Sequence, residues 1–399
     1  MTIVLKGARF FDGARTAVSR SSVLVIEGER IAAVVRDGQV PEVPAGATVY
    51  DLAGKTIIPG LFNCHAHLGW DGYRGLQHQS VHDSANLHGI KVARNMRGCL
   101  EAGVTTIRDL GVHHTAIAAK EARKLGLVAG PRVFAAGRAI ACTGGHTWWA
   151  VQEADGPEGV RRAVRDQIKV GADWIKIMAS GEAEQEYTQD ELRAAADEAH
   201  MHGRKITAHA TFNKAARACL EAGFDCLEHG GDYDDQVIGL MVERGVRLVP
   251  TVSPLQLQAR RGLEWGMEPE AVERRRRTLA NPVRLRGVAR AKKAGVKLAF
   301  GTDSGSPVVP HNEIAAEVAG LLEFGVFETP AEALQAASRD SAQLMGLEKD
   351  LGTLEAGKIA DVVVIDGDPF ASVDDLRKVD MVFVAGRLVV DHGAVVRGL

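Results

Sequence analysis

The chain has 399 residues with a formal net charge of −3, 46% hydrophobic and 25% charged residues. That length and composition suit a soluble globular protein with a large core and room for about two or three domains. The near-neutral charge, with no basic stripe interleaved by aromatics, argues against a nucleic-acid role. No stretch approaches the run of apolar residues that crosses a membrane, and the start, MTIVLKGARFFDG, lacks the layout of a secretory leader.

Residues 1–56 read as short β-type runs between turn signals: TIVLKGARFFDG, SSVLVIEGERIAAVV and ATVYDLAGKTIIPG. The same texture returns near the C-terminus in ADVVVIDGDP and DMVFVAGRLVVDHG, so residues 1–56 and 350–399 are expected to form one composite β domain, a small discontinuous sandwich. Between them, residues 57–349 alternate apolar runs with Ala-rich amphipathic stretches, the pattern of repeated βα units. The expected strands are TIIPGLFNCHAHL, VTTIRDLG, RVFAAG, DWIKIMAS, KITAHA, DCLEHG, RLVPTV and KLAFGTDSG, which gives a (β/α)8 barrel. One helix has clear punctuation, with Thr188 as N-cap, acidic residues behind it and Gly203 at its end.

After the seventh run, about 45 residues from Val252 to Gly295 precede the next strand, and such excursions often form lids or pocket walls. The run Arg274 to Arg277 within it is read as a solvated helix face with Glu270 and Glu273 nearby, implying no partner. Five cysteines, Cys64, Cys99, Cys142, Cys219 and Cys226, are scattered without paired spacings, which fits reduced thiols in a cytoplasmic protein.

Chemistry is concentrated at the ends of the apolar runs. In His65-Ala66-His67, period-two geometry sets both imidazoles on one side of a strand, able to reach one ion, although an isolated HxH is weak evidence. Lys176 stands inside Trp174-Ile175-Lys176-Ile177-Met178, where an unpaired ammonium would be costly; snorkelling or a buried ion pair would compensate it, as would chemical modification. His209 and His229 end the fifth and sixth runs and Asp303 the eighth. Singly, these would be a satisfied histidine or a turn aspartate. Together they make one set of metal-type ligands at the face where a barrel keeps its chemistry.

With PGLFNCHAHL, ACTGGHTWW, IKIMASG, AHA, EHG, GTDSG and the ending TPAEALQAAS through LGTLEAGKIADVVVIDGDP in place, the chain resembles the amidohydrolase superfamily over essentially its whole length. It is most similar to the imidazolonepropionase-related branch that contains prolidase-like Xaa-Pro and Xaa-Arg dipeptidases and ochratoxin-hydrolysing amidases. Asn63 stands where the branch more often has Asp.

That resemblance implies two divalent metal ions, zinc by family habit. His65, His67 and Asp303 would take the more buried ion and His209 and His229 the more exposed one, with CO2 on Lys176 as a bridging carbamate. It implies hydrolysis of an amide or peptide C–N bond by a metal-bridged hydroxide, with Asp303 as acid and base and His146 donating to the carbonyl oxygen. A loop histidine without a role is the plainer account of His146.

The resemblance also implies a small-molecule substrate, a homo-oligomer, and no nucleic acid or membrane partner. An N-acyl amino acid, dipeptide or aryl amide is the expected substrate, with carbamates or ureas as the alternative. A mononuclear deaminase or imidazolonase is disfavoured because Phe212 replaces the glutamate of its H-x-x-E motif, and a non-catalytic scaffold because no ligand position is lost. Trp70, Trp148, Trp149, Phe212, Tyr187 and also Trp265 are candidates for an aromatic pocket, with core packing an equal account of each tryptophan and a place just before the helix cap the plainer one for Tyr187. Thr211, Phe212 and Asn213 depart from the dipeptidase pattern after the fifth-strand histidine, which puts recognition of a free substrate carboxylate in doubt.

Overall fold

The computed structural model describes residues 1–36, 45–73 and 75–396, so residues 37–44 and 397–399 of the expected β domain lie outside the described residues. From Leu61 onward, short strands alternate with helices. The strands are β1 (Leu61–Ala66), β2 (Val104–Asp109), β3 (Arg132–Ala135), β4 (Trp174–Met178), β5 (Lys205–His209), β6 (Cys226–His229) and β7 (Arg247–Pro250). Every residue of β1, β2, β4 and β6 is buried, the continuous pattern of parallel strands covered on both faces. Parallel ladders join β1 to β2, β2 to β3, and β4 through β7 in order. Between β3 and β4 the link is made by Asp173, whose N–H donates to the Ala135 carbonyl at 2.7 Å while its carboxylate accepts from Ala135 N at 3.0 Å.

Two expected strands differ. TIIPGLFNCHAHL is not one strand: Thr56–Pro59 pairs antiparallel with Val362–Ile365, and β1 starts after Gly60. The break has a steric cause, since a Cβ on Gly60 would lie 2.3 Å from Thr105 Oγ1. The barrel-type succession therefore begins at Leu61, a few residues later than the sequence suggests. KLAFGTDSG forms no regular strand and shows isolated parallel bridges, among them Leu248↔Leu298 to β7 and Ala66↔Ser304 to β1. Its backbone is nonetheless bonded on both sides: Ala299 N donates to Leu248 O at 3.0 Å, and Cys64 N donates to Phe300 O at 2.8 Å. A positive φ of 55° at Asp303 interrupts the ladder and turns that side chain out of strand alternation.

The termini contribute two sheets. One has four strands in the order Arg30–Arg36, Ser22–Glu27, Thr2–Lys6, Thr48–Asp51; the other has seven and mixes N-terminal strands (Arg9–Phe11, Val18–Ser19, Thr56–Pro59) with C-terminal ones from Val362 to Val395. Ile3, Leu5, Phe10, Leu24, Ile57, Val362 and Phe383 share one apolar cluster, so residues from both ends of the chain stabilise each other by burial.

Helix α1 (Gln189–Met201) has the expected start: Thr188 Oγ1 accepts from Glu191 N and the Glu191 carboxylate reaches back to Thr188 N, a reciprocal capping box. The long excursion after β7 folds into three helices, α2 (Ser253–Arg261), α3 (Pro269–Ala280) and α4 (Val283–Lys293). The first is anchored by the buried Glu317, whose carboxylate accepts from Val252 N, Ser253 N and Ser253 Oγ at 2.7–2.9 Å. Among the described residues no helix is long and apolar enough to cross a membrane, and all five cysteines are free thiols.

Candidate metal centre

His65, His67, Lys176, His209, His229 and Asp303 all line one cavity of about 620 Å3, a volume in the range of small-molecule sites. His65 is the fifth residue of β1 and His67 follows its end; Lys176 lies at the middle of β4, while His209 and His229 close β5 and β6. The imidazoles form a row. Ring centroids are 5.3 Å apart for His67 and His65, 4.6 Å for His65 and His229, 4.5 Å for His229 and His209, and 4.4 Å for His209 and His146.

Neighbours hold the Nδ1 atoms of three of these rings. His65 Nδ1 donates to Glu228 Oε2 at 2.7 Å, His67 Nδ1 donates to the Gly111 carbonyl at 2.8 Å, and His229 Nδ1 lies 2.8 Å from Thr251 Oγ1. Fixing Nδ1 leaves Nε2 as the inward-facing nitrogen, the arrangement typical of metal-binding histidines. His65 Nε2 is 3.6 Å and His67 Nε2 3.2 Å from Asp303 Oδ1. His65, His229 and Asp303 each offer a ligand atom, and these lie within 4.8 Å of one another. His229 (φ 68°) and Asp303 (φ 55°) both hold left-handed backbone conformations, which cost roughly 1–3 kcal/mol each and cluster at functional sites.

Electrostatics favour the unprotonated form of three of these imidazoles and of the Asp303 carboxylate. Burial, then the neighbouring Lys176, lowers the His65 pKa to about 4. Burial and the adjacent imidazoles hold His209 and His229 well below the ordinary histidine value. His67 moves the other way: burial lowers it, but the hydrogen bond and charge of Asp303, with the Asp109 charge and the Gly111 carbonyl, together outweigh burial and raise it. Burial alone would raise Asp303, but His65 and His67 overcome it and bring it to about 2. Lys176 is 1% exposed, and burial lowers its pKa to about 8 against the pull of Glu228 and Asp303. Among the described residues its amine forms no hydrogen bond or ion pair. Three imidazoles held neutral, a fourth on the Asp303 carboxylate, and an unpartnered buried amine around one cavity are a donor set that fits divalent metal ions.

Beneath this lies a charged layer that sequence reading missed. Glu228 Oε1 accepts from Arg108 Nη2 at 2.7 Å while its other oxygen holds His65, and both Glu228 and Arg108 side chains are fully buried. Arg108 Nε donates to the Cys64 carbonyl at 2.6 Å, and its guanidinium sits 4.5 Å from the Trp174 ring centre. The signal was available: like Lys176, both are charged residues within apolar strands. Asn63 uses both ends of its amide, accepting from Thr302 N at 3.1 Å and donating to Thr302 Oγ1 at 2.8 Å, which ties β1 to the segment carrying Asp303. A carboxylate could do only the first of these.

Among the other expected residues, His146, Trp70, Trp149 and Phe212 line the cavity. His146 is positioned through its backbone N–H, which donates to Glu186 at 3.0 Å, and burial lowers its pKa. Trp70 lies 4.8 Å from the His67 ring and 5.7 Å from Trp149, and its Nε1 donates to Ser80 Oγ at 2.8 Å. Trp148, Tyr187 and Trp265 do not line the cavity. Trp148 is 50% exposed, Tyr187 is buried with its hydroxyl donating to the Ala154 carbonyl at 2.9 Å, and Trp265 stacks near Tyr73 at 5.3 Å. The excursion after β7 does form a wall, through Pro254, Leu255, Gln258, Arg275, Thr278 and Arg284. Arg275, read from sequence as part of a solvated face, therefore faces the site.

Comparison with known proteins agrees with this geometry. The amidohydrolase family model matches residues 56–389. Ochratoxinase of Aspergillus niger is 29% identical over 92% of this chain and 83% of its own length. A crystal structure of a Xaa-Pro dipeptidase with bound methionine superposes with a TM-score of 0.87 at 29% identity, covering 97% of this chain and 99% of that one. A prolidase complexed with N-methylphosphonate-L-proline gives 0.86 at 30% identity, covering 98% and 100%. The chain belongs to the amidohydrolase family, with a TIM-barrel-like α/β fold and the character of a hydrolase acting on C–N bonds.

Proposed function

We propose that this chain is a binuclear metal-dependent amidohydrolase that cleaves the amide bond of an N-acyl amino acid, a dipeptide or an aryl amide. The observation that carries this reading is Lys176, a buried amine without a partner in the cavity that also holds His65, His67, His209, His229 and Asp303. A pKa near 8 brings its neutral form, the form that takes up CO2, within reach at physiological pH. Divalent ions held by these six residues, zinc being the family's usual choice, would supply Lewis acidity and make water more acidic.

The residues' own contributions follow from their states. Asp303, anionic at any pH well above 2, accepts a proton from the attacking water and returns it to the departing nitrogen. His146, neutral because of burial, donates a hydrogen bond to the carbonyl oxygen as charge develops there. Trp70 and Trp149 present apolar surface to the substrate and keep bulk water from that side. Phe212 offers no titratable group where a deaminase would need one, which favours hydrolysis over deamination.

The same reading takes residues 57–349 as a closed (β/α)8 barrel and residues 1–56 with 350–399 as a β-sandwich domain. Support for closure comes from the 298–304 segment, bonded both to β7 and to β1, and support for the sandwich from the apolar cluster shared by the terminal sheets. Free thiols fit operation in the cytoplasm.

Assaying N-acyl amino acids, Xaa-Pro dipeptides, aryl amides and carbamates before and after chelation tests the proposal. Amide cleavage that a chelator abolishes and zinc restores is the expected result. Cleavage indifferent to chelation, or deamination in its place, overturns it.

A further inference from the structure

Asp303 is the only carboxylate among the described residues lining the cavity, whereas Arg275 and Arg284 both line it from the helices after β7. Among the described residues neither guanidinium forms an ion pair. Arg284 makes one hydrogen bond, from Nη2 to the Thr251 carbonyl at 3.0 Å, and Thr251 Oγ1 in turn meets His229 Nδ1. Arg284 is thus set one residue away from a candidate metal ligand. Arg275 makes none, although its neighbour Arg276 is engaged with the Ala259 carbonyl at 3.1 Å.

The two guanidiniums repel each other, and each also feels the Asp303 carboxylate. Glu317, which also favours the Arg284 charge, is occupied in holding the start of α2. Two like charges lining one cavity and felt by one another, with donors left over, form a ready receptor for a visiting anion.

We infer that Arg275 and Arg284 form the specificity-determining subsite for a free carboxylate on the substrate, on the leaving-group side of the scissile bond. The inference rests on the amide-hydrolase reading and narrows it: N-acyl α-amino acids and dipeptides with a free C-terminus fit the subsite, and neutral aryl amides leave it unpaired. It also answers the doubt raised by Thr211, Phe212 and Asn213, because the carboxylate is met from the post-β7 helices and not from the loop after β5. Leaving a charged donor unpaired penalises the uncharged analogue, which is how such a site discriminates.

The test compares each N-acyl amino acid with its C-terminal carboxamide, in wild type and in Arg275→Met, Arg284→Met and the two Arg→Lys variants. The acid-over-amide ratio of kcat/KM should fall about tenfold or more in each Met variant, mainly through KM, with partial recovery in the Lys variants. A second readout needs no turnover: quenching of tryptophan fluorescence by L-phenylalanine against L-phenylalaninamide should favour the acid in wild type and lose that preference in the Met variants. Equal binding of acid and amide by wild type, or variants that weaken both alike, overturns the subsite. A wild type that binds the acid selectively yet cleaves no amide leaves the subsite standing and sinks the amide-hydrolase reading instead.

Discussion

Glu228 holds His65 Nδ1 at 2.7 Å with one carboxylate oxygen and Arg108 Nη2 at 2.7 Å with the other, so a buried ion pair sets the orientation of a candidate metal ligand. Burial would raise the Glu228 pKa, but Arg108 and His65 hold it well below the ordinary carboxylate value. On the proposed metal-dependent reading, folding and metal binding depend on the same carboxylate.

Glu228→Gln should weaken metal binding roughly 10–100-fold, as loss of a partner behind a ligating histidine does. It should also destabilise the chain by about 3–5 kcal/mol, because Arg108 keeps its charge without a counter-ion. Metal titration and urea unfolding of the metal-free protein read the two effects separately. The Arg108→Met, Glu228→Gln double variant should lose less stability than the sum of the single losses.

Glu317 gives a pH dependence of defined sign. Burial pushes its pKa up to about 7 from an ordinary value near 4.5. A folded pKa raised above the unfolded one means that the protonated form is favoured on folding. The stabilisation is full below about pH 4.5 and is lost as pH rises toward 7. Glu317→Gln removes this group's contribution, so its stability relative to wild type should improve by roughly 2–4 kcal/mol between pH 4.5 and pH 8. Urea unfolding at the two pH values measures it; a stability difference that does not change with pH would show that burial does not control this carboxyl.

Phe383→Ala should cost about 3–5 kcal/mol, the usual loss for a fully buried phenylalanine. The residue lies in the apolar cluster with Leu5, Phe10 and Leu24, so the loss should appear as destabilisation of both terminal sheets together. Hydrogen exchange of Thr2–Lys6 and Val379–Val384 amides should accelerate in parallel, whereas acceleration confined to the C-terminal strands would separate the two ends.

What was legible in the sequence was what local chemistry marks. His65, His67, Lys176, His209, His229 and Asp303 stood out as polar groups ending or interrupting apolar runs, and all six meet at one cavity. Arg108 and Glu228 carried the same mark but matched no ligand pattern, so their pairing between β2 and β6, two strands that share no ladder, emerged only in three dimensions. The splitting of the first barrel-type run at Gly60 depends on contact with Thr105, some 45 residues away, which no local pattern encodes. Arg275 was hidden for a related reason: four consecutive arginines point in different directions around α3, and only tertiary packing decides which one faces the site. Trp148 and Tyr187 were equally plausible pocket residues by composition, yet one turns to solvent and the other spends its hydroxyl on Ala154.

The most direct test of the central claim is the metal content and amide-cleaving activity of purified wild type beside Lys176→Ala. The account predicts two divalent ions per wild-type chain, with loss of at least one ion and of turnover in the variant. Fewer than one ion per wild-type chain, or undiminished turnover in Lys176→Ala, would contradict it.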